Sequence, residues 1–509
     1  MWYIELTKQI KPKEQRTIQQ AQLLLSQNNA NAAKDILLKY TKNNKAGEYV
    51  SYYLSLSRAI LGEFNEALNS AIKLVKTHEK NIEYLKLLGG IYHGLQQYGL
   101  AIKMFERALK INDRDFQALS NLANSLKETH QYADAESYYK KSLSIQANQP
   151  DALTNYGLLM QVNAQLDEAI NLHKKALQLA PAHTIALYNL AYALDEKGEN
   201  ETSLHIYYKV IELVPHHIRA LCDIARILSK MEQAEKALPY LQLAMEINPN
   251  DEHIHLNFGI VHRTMGNFDL AEYSFNETTR INPKNQTAAY LLACMKGDNS
   301  ITSSPVNYVQ ELFDGYAETF DAQLIGKLHY KVPELIGGMV KKHTDATQKY
   351  RILDLGCGTG LVGTYINDIS DYMVGIDLAP KMLKKAEERN IYNQLVLSGI
   401  DEYFETHDYR PDIVTSADVF IYIGDLSGIF SAVANSIRPG GFFVFSTEDN
   451  PDCMNFELRD SGRYAQSEAY IRQLAEEYKF AILENAKIVV RLESNKPIHG
   501  QIYVLTGQL

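Results

Sequence analysis

The chain has 509 residues, of which 46% are apolar and 22% are charged, and its formal net charge is −10 at pH 7. At about 150 residues per domain, this length predicts about three domains. The negative charge argues against DNA or RNA as the main partner, since phosphate binding needs a concentrated basic surface. No apolar run approaches the ~18 residues of a membrane span, and the first residues lack the basic start and apolar core of a signal peptide.

The four cysteines lie far apart and include no CxxC pair: they are Cys222, Cys294, Cys357 and Cys453. This spacing predicts neither a zinc site nor a disulfide framework, and it favours a reducing cytoplasm. His253, His255 and His262 cluster near residue 260 without a cysteine or carboxylate at ligand spacing, so no metal site is predicted there.

A 34-residue period runs through residues 1–297 and is marked by two series of small residues. One series is Ala33, Ala67, Ala101, Ala135, Ala169, Ser203, Ala237 and Ala271, and the other is Ala21, Ser55, Gly89, Ala123, Gly157, Ala191, Ala225 and Gly259. The period resembles the tetratricopeptide repeat (TPR), in which two helices cross at small residues. The resemblance predicts an all-α superhelix of about eight repeats, a capping half-repeat at Asn285–Lys296 and a linker at residues 298–306.

In TPR proteins, helix A side chains two positions before the small residue face a concave groove that binds peptides. Here these positions hold Asn121, Asn155, Asn189, Asp223 and Asn257, and further groove candidates are Tyr188, Tyr192, Arg219, Arg226 and Arg263. The set is similar to the asparagine ladder of O-GlcNAc transferase, which implies a protein or peptide partner. The alternative is that these asparagines only tie neighbouring repeats together.

The segment Arg351–Ile366 reads as a strand ending near Asp354, a turn with Gly356, Gly358 and Gly360, and a helix start. Strand, glycine turn and helix place a nucleotide-like ligand at the carboxyl edge of an α/β sheet. Asp377 ends the next apolar strand, 23 residues after Asp354, where an acid can accept both ribose hydroxyls. An α/β unit for another nucleoside ligand, or for none, is the alternative interpretation.

The DxGxGxG spacing resembles motif I of the class I S-adenosylmethionine (SAM) methyltransferases. The resemblance implies a Rossmann-like, seven-stranded domain over residues 307–509 with SAM as cofactor. It assigns cofactor contacts to Asp354, the three glycines and Asp377, and to Leu378 and Met382 over the adenine. Many relatives carry an acid for the adenine just after the third strand, and here this acid is either displaced to Asp401 or absent, in which case the backbone of Gly399 and Ile400 would make the adenine contacts. Asn307–Asp321 resembles the lid helix of small class I enzymes, with Tyr316 as a candidate contact with SAM.

The tip of the fourth strand lies beside the methyl group in this family, which makes Asp418 and Tyr422 the candidate catalytic residues. Candidates for acceptor recognition are Arg463, Tyr464, Tyr470 and His499. The last two strands are predicted at Lys487–Leu492 and Gln501–Thr506. Residues 307–509 also resemble a bacterial group of TPR-containing methyltransferases that share ADVxxYIGD and GRYAxSEAY.

The leading hypothesis is a SAM-dependent methyltransferase acting on a protein docked through the TPR groove. The alternatives are a small-molecule methyltransferase that its TPR array tethers to an assembly, and a scaffold whose SAM-fold domain is inactive. The sequence leaves the oligomeric state and the accepting atom open.

Overall fold

The computed structural model describes residues 11–317, 320–321, 330–493 and 496–507, and the chain divides into two compact units after Pro215. The first unit consists of consecutive helices that pack in pairs, helix A against helix B of the same repeat. Its helices are α1 (Pro12–Ser26), α2 (Ala30–Asn43), α3 (Glu48–Ile60), α4 (Phe64–Thr77), α5 (Ile82–Gly94), α6 (Tyr98–Ile111), α7 (Phe116–Glu128), α8 (Tyr132–Ile145), α9 (Pro150–Val162), α10 (Leu166–Leu179), α11 (Thr184–Glu196) and α12 (Asn200–Leu213).

The 34-residue period corresponds to these helix pairs, and it continues into the second unit. Every residue of the two predicted small-residue series is buried. Small side chains are required there because the backbones of helices A and B approach closely, and a larger side chain would push them apart. The predicted TPR array is therefore confirmed.

Two adjacent glycines of α5, Gly89 and Gly90, allow an experimental test of the close packing between helices A and B. We expect Gly89→Ala to destabilise the first unit by about 1–3 kcal/mol, because overpacking a filled core forces its neighbours to move. A Cβ at Gly89 would lie 2.6 Å from the ring of Phe105, which is only 1% exposed and has no room to shift. The control is Gly90→Ala, where a Cβ meets nothing within 4 Å. This change should stabilise the helix by about 0.5–1 kcal/mol. Urea unfolding followed by circular dichroism measures both, and equal effects would contradict the prediction.

The second unit begins with five more helices of the repeat pattern and continues into an α/β sheet domain. Its helices are α13 (Ile218–Lys230), α14 (Ala234–Ile247), α15 (Glu252–Thr264), α16 (Phe268–Ile281), α17 (Gln286–Lys296), α18 (Val306–Tyr316), α19 (Val332–His343), α20 (Leu361–Ile366), α21 (Pro380–Glu388), α22 (Ile400–Thr406), α23 (Ser427–Ser436) and α24 (Glu468–Glu477). Its strands are β1 (Tyr350–Leu355), β2 (Ser370–Asp377), β3 (Gln394–Leu397), β4 (Ile413–Ser416), β5 (Phe442–Glu448), β6 (Phe456–Leu458), β7 (Tyr464–Gln466), β8 (Phe480–Glu493) and β9 (Lys496–Gly507).

The main sheet has seven strands in the order β3-β2-β1-β4-β5-β9-β8. Strands β1 to β5 pair in parallel, and β9 runs antiparallel to both β5 and β8. The predicted Rossmann-like, seven-stranded fold is confirmed. The chain order reverses between β1 and β4, and ligands of open α/β sheets bind outside the carboxyl ends of the strands at such a point.

Two features of the sheet domain differ from the sequence-based expectation. The hairpin β6–β7 lies in a segment where no strand was predicted, because three-residue strands are too short to give a periodic signal. Strands β8 and β9 are longer than predicted, since register shifts at Ile482/Glu484 and Val489/Arg491 interrupt the alternation of apolar and polar residues in β8.

The last helix of the repeat array shares an apolar core with the hairpin. Tyr290 and Cys294 of α17 pack with Leu458 and Tyr464. The segment predicted as a linker is also hydrogen-bonded to the sheet domain, since the carbonyl of Thr302 accepts from the Gly424 N–H at 2.8 Å. The repeats after Pro215 therefore belong to the same compact unit as the sheet, while the domain boundaries at 297 and 306 stay a prediction.

Candidate functional site

Four predicted segments meet at the carboxyl edge of the sheet. The glycine turn follows β1, Asp377 ends β2, Ser398–Ile400 follows β3, and Asp418 lies two residues after β4. In the strand register Leu355 lies beside Ile376, and Asp377 beside Leu397, so the ends of β1, β2 and β3 are level. Residues that are distant in the sequence are therefore brought together at one edge.

The glycines of the turn after β1 have positive φ angles, which residues with a side chain rarely adopt. Gly356, Gly358 and Gly360 have φ values of +63°, +55° and +84°. A Cβ at Gly356 would lie 2.3 Å from the Val419 side chain, whereas a Cβ at Gly358 would meet nothing within 4 Å. The Gly358 N–H donates to Oδ2 of Asp377 at 2.8 Å. The turn is thus fixed against the sheet and leaves open space at Gly358.

Asp354 lies behind the turn and not on its open face. Its side chain is 1% exposed, and it accepts hydrogen bonds from the Tyr392 hydroxyl at 2.7 Å and the Thr415 hydroxyl at 2.8 Å. Burial raises the pKa of Asp354 to about 6, and the two hydrogen bonds oppose this shift. Asp354 therefore stabilises the turn from within the protein, through a partner, Tyr392, that the sequence analysis missed.

Asp377 is only partly buried and faces the glycine turn. One carboxylate oxygen accepts from the Gly358 N–H, and the other accepts from the Ala379 N–H at 2.8 Å. Burial raises the pKa of Asp377 to about 6, while these backbone hydrogen bonds favour the ionised form. Each carboxylate oxygen has a second lone pair, which can accept a ligand hydroxyl.

The residues predicted to flank an adenine separate into an open and a buried group. Leu378 lies near Gly399, where a Cβ would be 3.7 Å from Leu378 Cδ2, and Ile400 begins α22 and packs against the sheet core. Met382, in contrast, is fully buried in a cluster with Ala317 and Ala379. Leu378, Gly399 and Ile400 thus border one strip of surface, whereas Met382 packs beneath the lid helix.

The lid helix is α18, and it lies across the ends of the strands. Asp314 Oδ1 accepts from the Lys381 N–H at 3.1 Å beside β2, and the Phe313 ring lies 5.4 Å from the Tyr422 ring beyond β4. Asp321 accepts from the Thr359 hydroxyl of the glycine turn at 2.6 Å and pairs with Arg389, a contact that the sequence analysis did not predict. The side chain of Tyr316, a predicted contact with SAM, lies outside the described residues.

The candidate catalytic residue Asp418 belongs to a buried ionic network. It has a left-handed backbone with φ +55°, accepts from the Ser446 hydroxyl at 3.1 Å and lies 3.5 Å from Arg491. Arg491 also pairs with Glu448, which is 2% exposed. Burial raises the pKa of Asp418 to about 6, and the Arg491 charge opposes the shift. No sequence spacing links residues 418, 448 and 491, so the sequence analysis missed this network.

The residues predicted to contact the methyl acceptor, and the candidate catalytic residue Tyr422, differ in their burial and in their partners. Tyr422 is half-buried, and burial raises the pKa of its hydroxyl while the charge of Arg463 and a hydrogen bond from it lower the pKa. His499 is exposed and precedes Gly500, which lies beside Glu448 at the end of β5. Tyr464 and Tyr470 are buried, with hydroxyls bonded to Ile301 O and Asp425 Oδ1. This burial disagrees with the prediction that these two tyrosines contact an acceptor.

The four asparagines and one aspartate of the predicted ladder lie on helices A of successive repeats. Asn121, Asn155 and Asn189 are on α7, α9 and α11 of the first unit, and Asn189 Nδ2 has no acceptor among the described residues. In the second unit, Asp223 forms an ion pair with Arg226 at 3.1 Å. Asn257 hydrogen-bonds to the Cys222 thiol. Burial raises the pKa of this thiol to about 12, and the hydrogen bond opposes the shift. Asn257 thus ties neighbouring helices A together, as the alternative interpretation expects.

The described part of the chain contains neither a membrane-spanning helix nor a cluster of metal ligands. None of its helices is both long enough and apolar enough to cross a membrane. Within the same residues, no three His, Cys, Asp or Glu side chains are grouped so that they could hold a metal ion. His255 instead contacts the Pro249 carbonyl at 3.0 Å.

Family models match both parts of the chain. Residues 353–445 match a methyltransferase domain. Residues 117–183 match YpiA-like, C-terminal tetratricopeptide repeats, and residues 82–115, 185–217 and 218–251 match the tetratricopeptide repeat. Among solved structures, the APC/C hetero-tetramer Cut9–Hcn1 is similar with a TM-score of 0.46 and 16% identity, covering 55% of each chain.

Curated relatives match the sheet domain. The ubiquinone biosynthesis O-methyltransferase of Hydrogenovibrio crunogenus is 29% identical over 126 residues, 24% of this chain and 52% of the relative. The malonyl-[acyl-carrier protein] O-methyltransferase of Serratia marcescens is 30% identical over 139 residues, 27% of this chain and 52% of the relative. The chain thus spans about half the length of these relatives. It combines an array of tetratricopeptide repeats with a following methyltransferase domain.

Proposed function

We propose that the chain is a SAM-dependent methyltransferase that acts on a protein or peptide docked through its TPR groove. The observation that carries the proposal is the open space at Gly358, next to the partly exposed carboxylate of Asp377. A left-handed glycine turn with a carboxylate at the neighbouring strand tip suits a ligand with a ribose. The methyltransferase family model over residues 353–445 supports the same proposal.

The residues at the sheet edge fit this cofactor. Asp377 would accept the ribose hydroxyls, while Leu378 and the backbone of Gly399 and Ile400 would border the adenine. Asp354 would hold the glycine turn in place from behind, through Tyr392 and Thr415. The lid helix would exclude water from the carboxyl ends of β2 and β4, since it contacts residues beyond both strands.

When bound, SAM supplies a methyl group that its positively charged sulfur has already activated. The main task of the protein is then alignment, which contributes up to about 7–11 kcal/mol in well-oriented reactions. Tyr422 and Arg463, which hydrogen-bond to each other, would orient an acceptor at the tip of β4. Asp418 is held in position by Ser446 and Arg491. A general base is needed only if the acceptor must lose a proton.

A small-molecule acceptor is the second candidate, and the relatives favour it. Their names refer to ubiquinone biosynthesis and to a malonyl group on a carrier protein. In this case the TPR array would tether the enzyme to an assembly and would take no part in the choice of acceptor. Under either candidate the accepting atom would lie beside Tyr422.

Groove variants distinguish the two candidates. We expect Asn121→Ala, Asn155→Ala and Asn189→Ala, combined in one chain, to reduce methyl transfer from labelled SAM to lysate proteins by roughly 10–100-fold. This factor corresponds to the loss of one hot-spot group of about 2 kcal/mol, since the contributions of groups in one interface do not add. SAM affinity, measured by calorimetry, should not change. The control chain carries Asn171→Ala and Asn276→Ala, two exposed asparagines on helices B. Label that appears only in small molecules, or equal transfer by all three chains, would contradict docking through the groove.

SAM affinity should depend on pH through Asp377. Burial raises the pKa of this carboxyl to about 6, so it gains a proton as the pH falls through that value. A protonated carboxyl is a poorer acceptor for ribose hydroxyls, and we expect affinity to fall by roughly tenfold between pH 7 and pH 5. Calorimetry measures the effect. In Asp377→Asn, affinity should be lower and constant over this range, and a wild-type affinity that does not change would contradict the prediction.

A further inference from the structure

The turn Arg459–Arg463, which joins β6 to β7, is held by residues of the last repeats. Arg263 on α15 donates a hydrogen bond to the Asp460 carbonyl. The Tyr290 hydroxyl on α17 donates to the Gly462 carbonyl at 2.7 Å. Gly462 has φ +79° and lies so near the lid helix that a Cβ there would be 3.3 Å from the Tyr308 hydroxyl. The turn therefore has little freedom to change shape while the repeats hold it.

The two arginines of the same turn contact the tip of β4 and the end of β5. Arg463 hydrogen-bonds to the Tyr422 hydroxyl. Arg459 pairs with Glu448 at 2.9 Å, and Glu448 in turn pairs with Arg491 beside Asp418. Tyr422 is thus one contact from this turn, and Asp418 is three contacts from it.

Arg263 also contacts the lid helix. Burial raises the pKa of Tyr308 on α18, while the charge of Arg263 and a hydrogen bond from it lower the pKa. A guanidinium can serve the turn and the tyrosine together, because its five donors are fixed in one plane. An ammonium lacks this planar fork. One repeat residue therefore fixes two elements that border the tip of β4.

We propose that Arg263, a residue of the TPR array, is a positioning residue for the acceptor side of the methyl-transfer site, and that it acts through the turn Arg459–Arg463 on Tyr422. The inference rests on the proposed function and extends it. The repeat array is then part of the apparatus that orients the acceptor, in addition to any docking in its groove. The sequence placed Arg263 among the groove candidates and gave no sign of this contact.

The test compares Arg263→Ala and Arg263→Lys in the full chain with Arg280→Ala. Arg280 is an arginine of the same repeat whose side chain is 59% exposed and pairs only locally with Glu277. With SAM bound, amide hydrogen exchange is followed at residues 456–466 and, separately, at residues 420–424 around Tyr422. Transfer from labelled SAM to lysate proteins and calorimetric SAM affinity are measured on the same preparations.

In Arg263→Ala we expect exchange at both segments to rise about tenfold, as a charge-assisted hydrogen bond is lost, and transfer to fall by a similar factor. SAM affinity should stay within about twofold of wild type, because the contacts that Arg263 makes with described residues are to Asp460 and Tyr308 and not to the glycine turn. Arg263→Lys should restore part of the protection, and Arg280→Ala should resemble wild type.

Faster exchange confined to residues 456–466, with no change around Tyr422, would show a purely local structural role and overturn the proposal. Unchanged transfer in Arg263→Ala would overturn it as well. If the wild-type chain bound no SAM, the proposed function would fail by itself, and exchange around Tyr422 without SAM would still decide whether Arg263 positions that residue.

Discussion

Replacing Gly358 with arginine is expected to reduce SAM affinity at least 100-fold, with only a small change in melting temperature. Position 358 has φ +55°, and a Cβ there would point into open space, so an arginine side chain would fill the proposed cofactor site without disturbing the core. A non-glycine residue in this conformation costs about 1–2 kcal/mol per residue. Calorimetric titration with SAM and a thermal scan measure the two quantities.

Gly440→Arg is a matched control for the backbone cost. Gly440 has φ +74°, and a Cβ there also meets nothing within 4 Å, but the residue lies in the turn before β5, away from the glycine turn. Its variant should lose similar stability and keep its affinity for SAM. Normal SAM binding by Gly358→Arg, or equal loss of binding in both variants, would contradict the assignment of the site.

Replacing Arg491 with methionine is expected to destabilise the second unit by about 3–5 kcal/mol, the usual cost of leaving a buried charge without its partner. Arg491 is 5% exposed and lies between Glu448, 2% exposed, and Asp418. Its loss leaves both carboxylates in an apolar region with fewer compensating charges. Urea unfolding followed by tyrosine fluorescence measures the free energy of unfolding.

Two comparisons make this prediction specific. Arg438→Met removes a half-exposed ion pair with Asp412, which should cost at most about 1 kcal/mol. The double variant Arg491→Met with Glu448→Gln should recover part of the loss, since the amide carries no charge to desolvate. A loss below about 1 kcal/mol in Arg491→Met would show that the network contributes little to stability.

The fold followed from local patterns in the sequence. The 34-residue period depends on small residues wherever two helices cross, and the structure buries every one of them. The glycine turn and the acid 23 residues later are likewise local features, because each follows directly from the end of its own strand. Parallel strands then place both at one edge of the sheet, so most of the proposed cofactor side could be predicted.

The proposed acceptor side could not be predicted in this way, because its contacts join residues that are remote in the sequence. Arg491 reaches Asp418 across 73 positions, and Arg263 reaches Asp460 across 197. Tyr464 belongs to a motif that resembles a family signature, yet its hydroxyl bonds to the Ile301 carbonyl inside a shared core. A motif shows that a residue matters in a family, but burial decides whether its side chain can reach a ligand.

The two architectures and the carboxyl edge of the sheet were therefore predictable, because periodicity and turn chemistry act over a few residues. The core that the last repeats share with the sheet domain was visible only in the folded chain. The same is true of the support that Asp354 gives the glycine turn from behind, and of the arginine of the repeats that holds the turn beside Tyr422. These arrangements depend on long-range packing, which leaves no periodic signal in the chain.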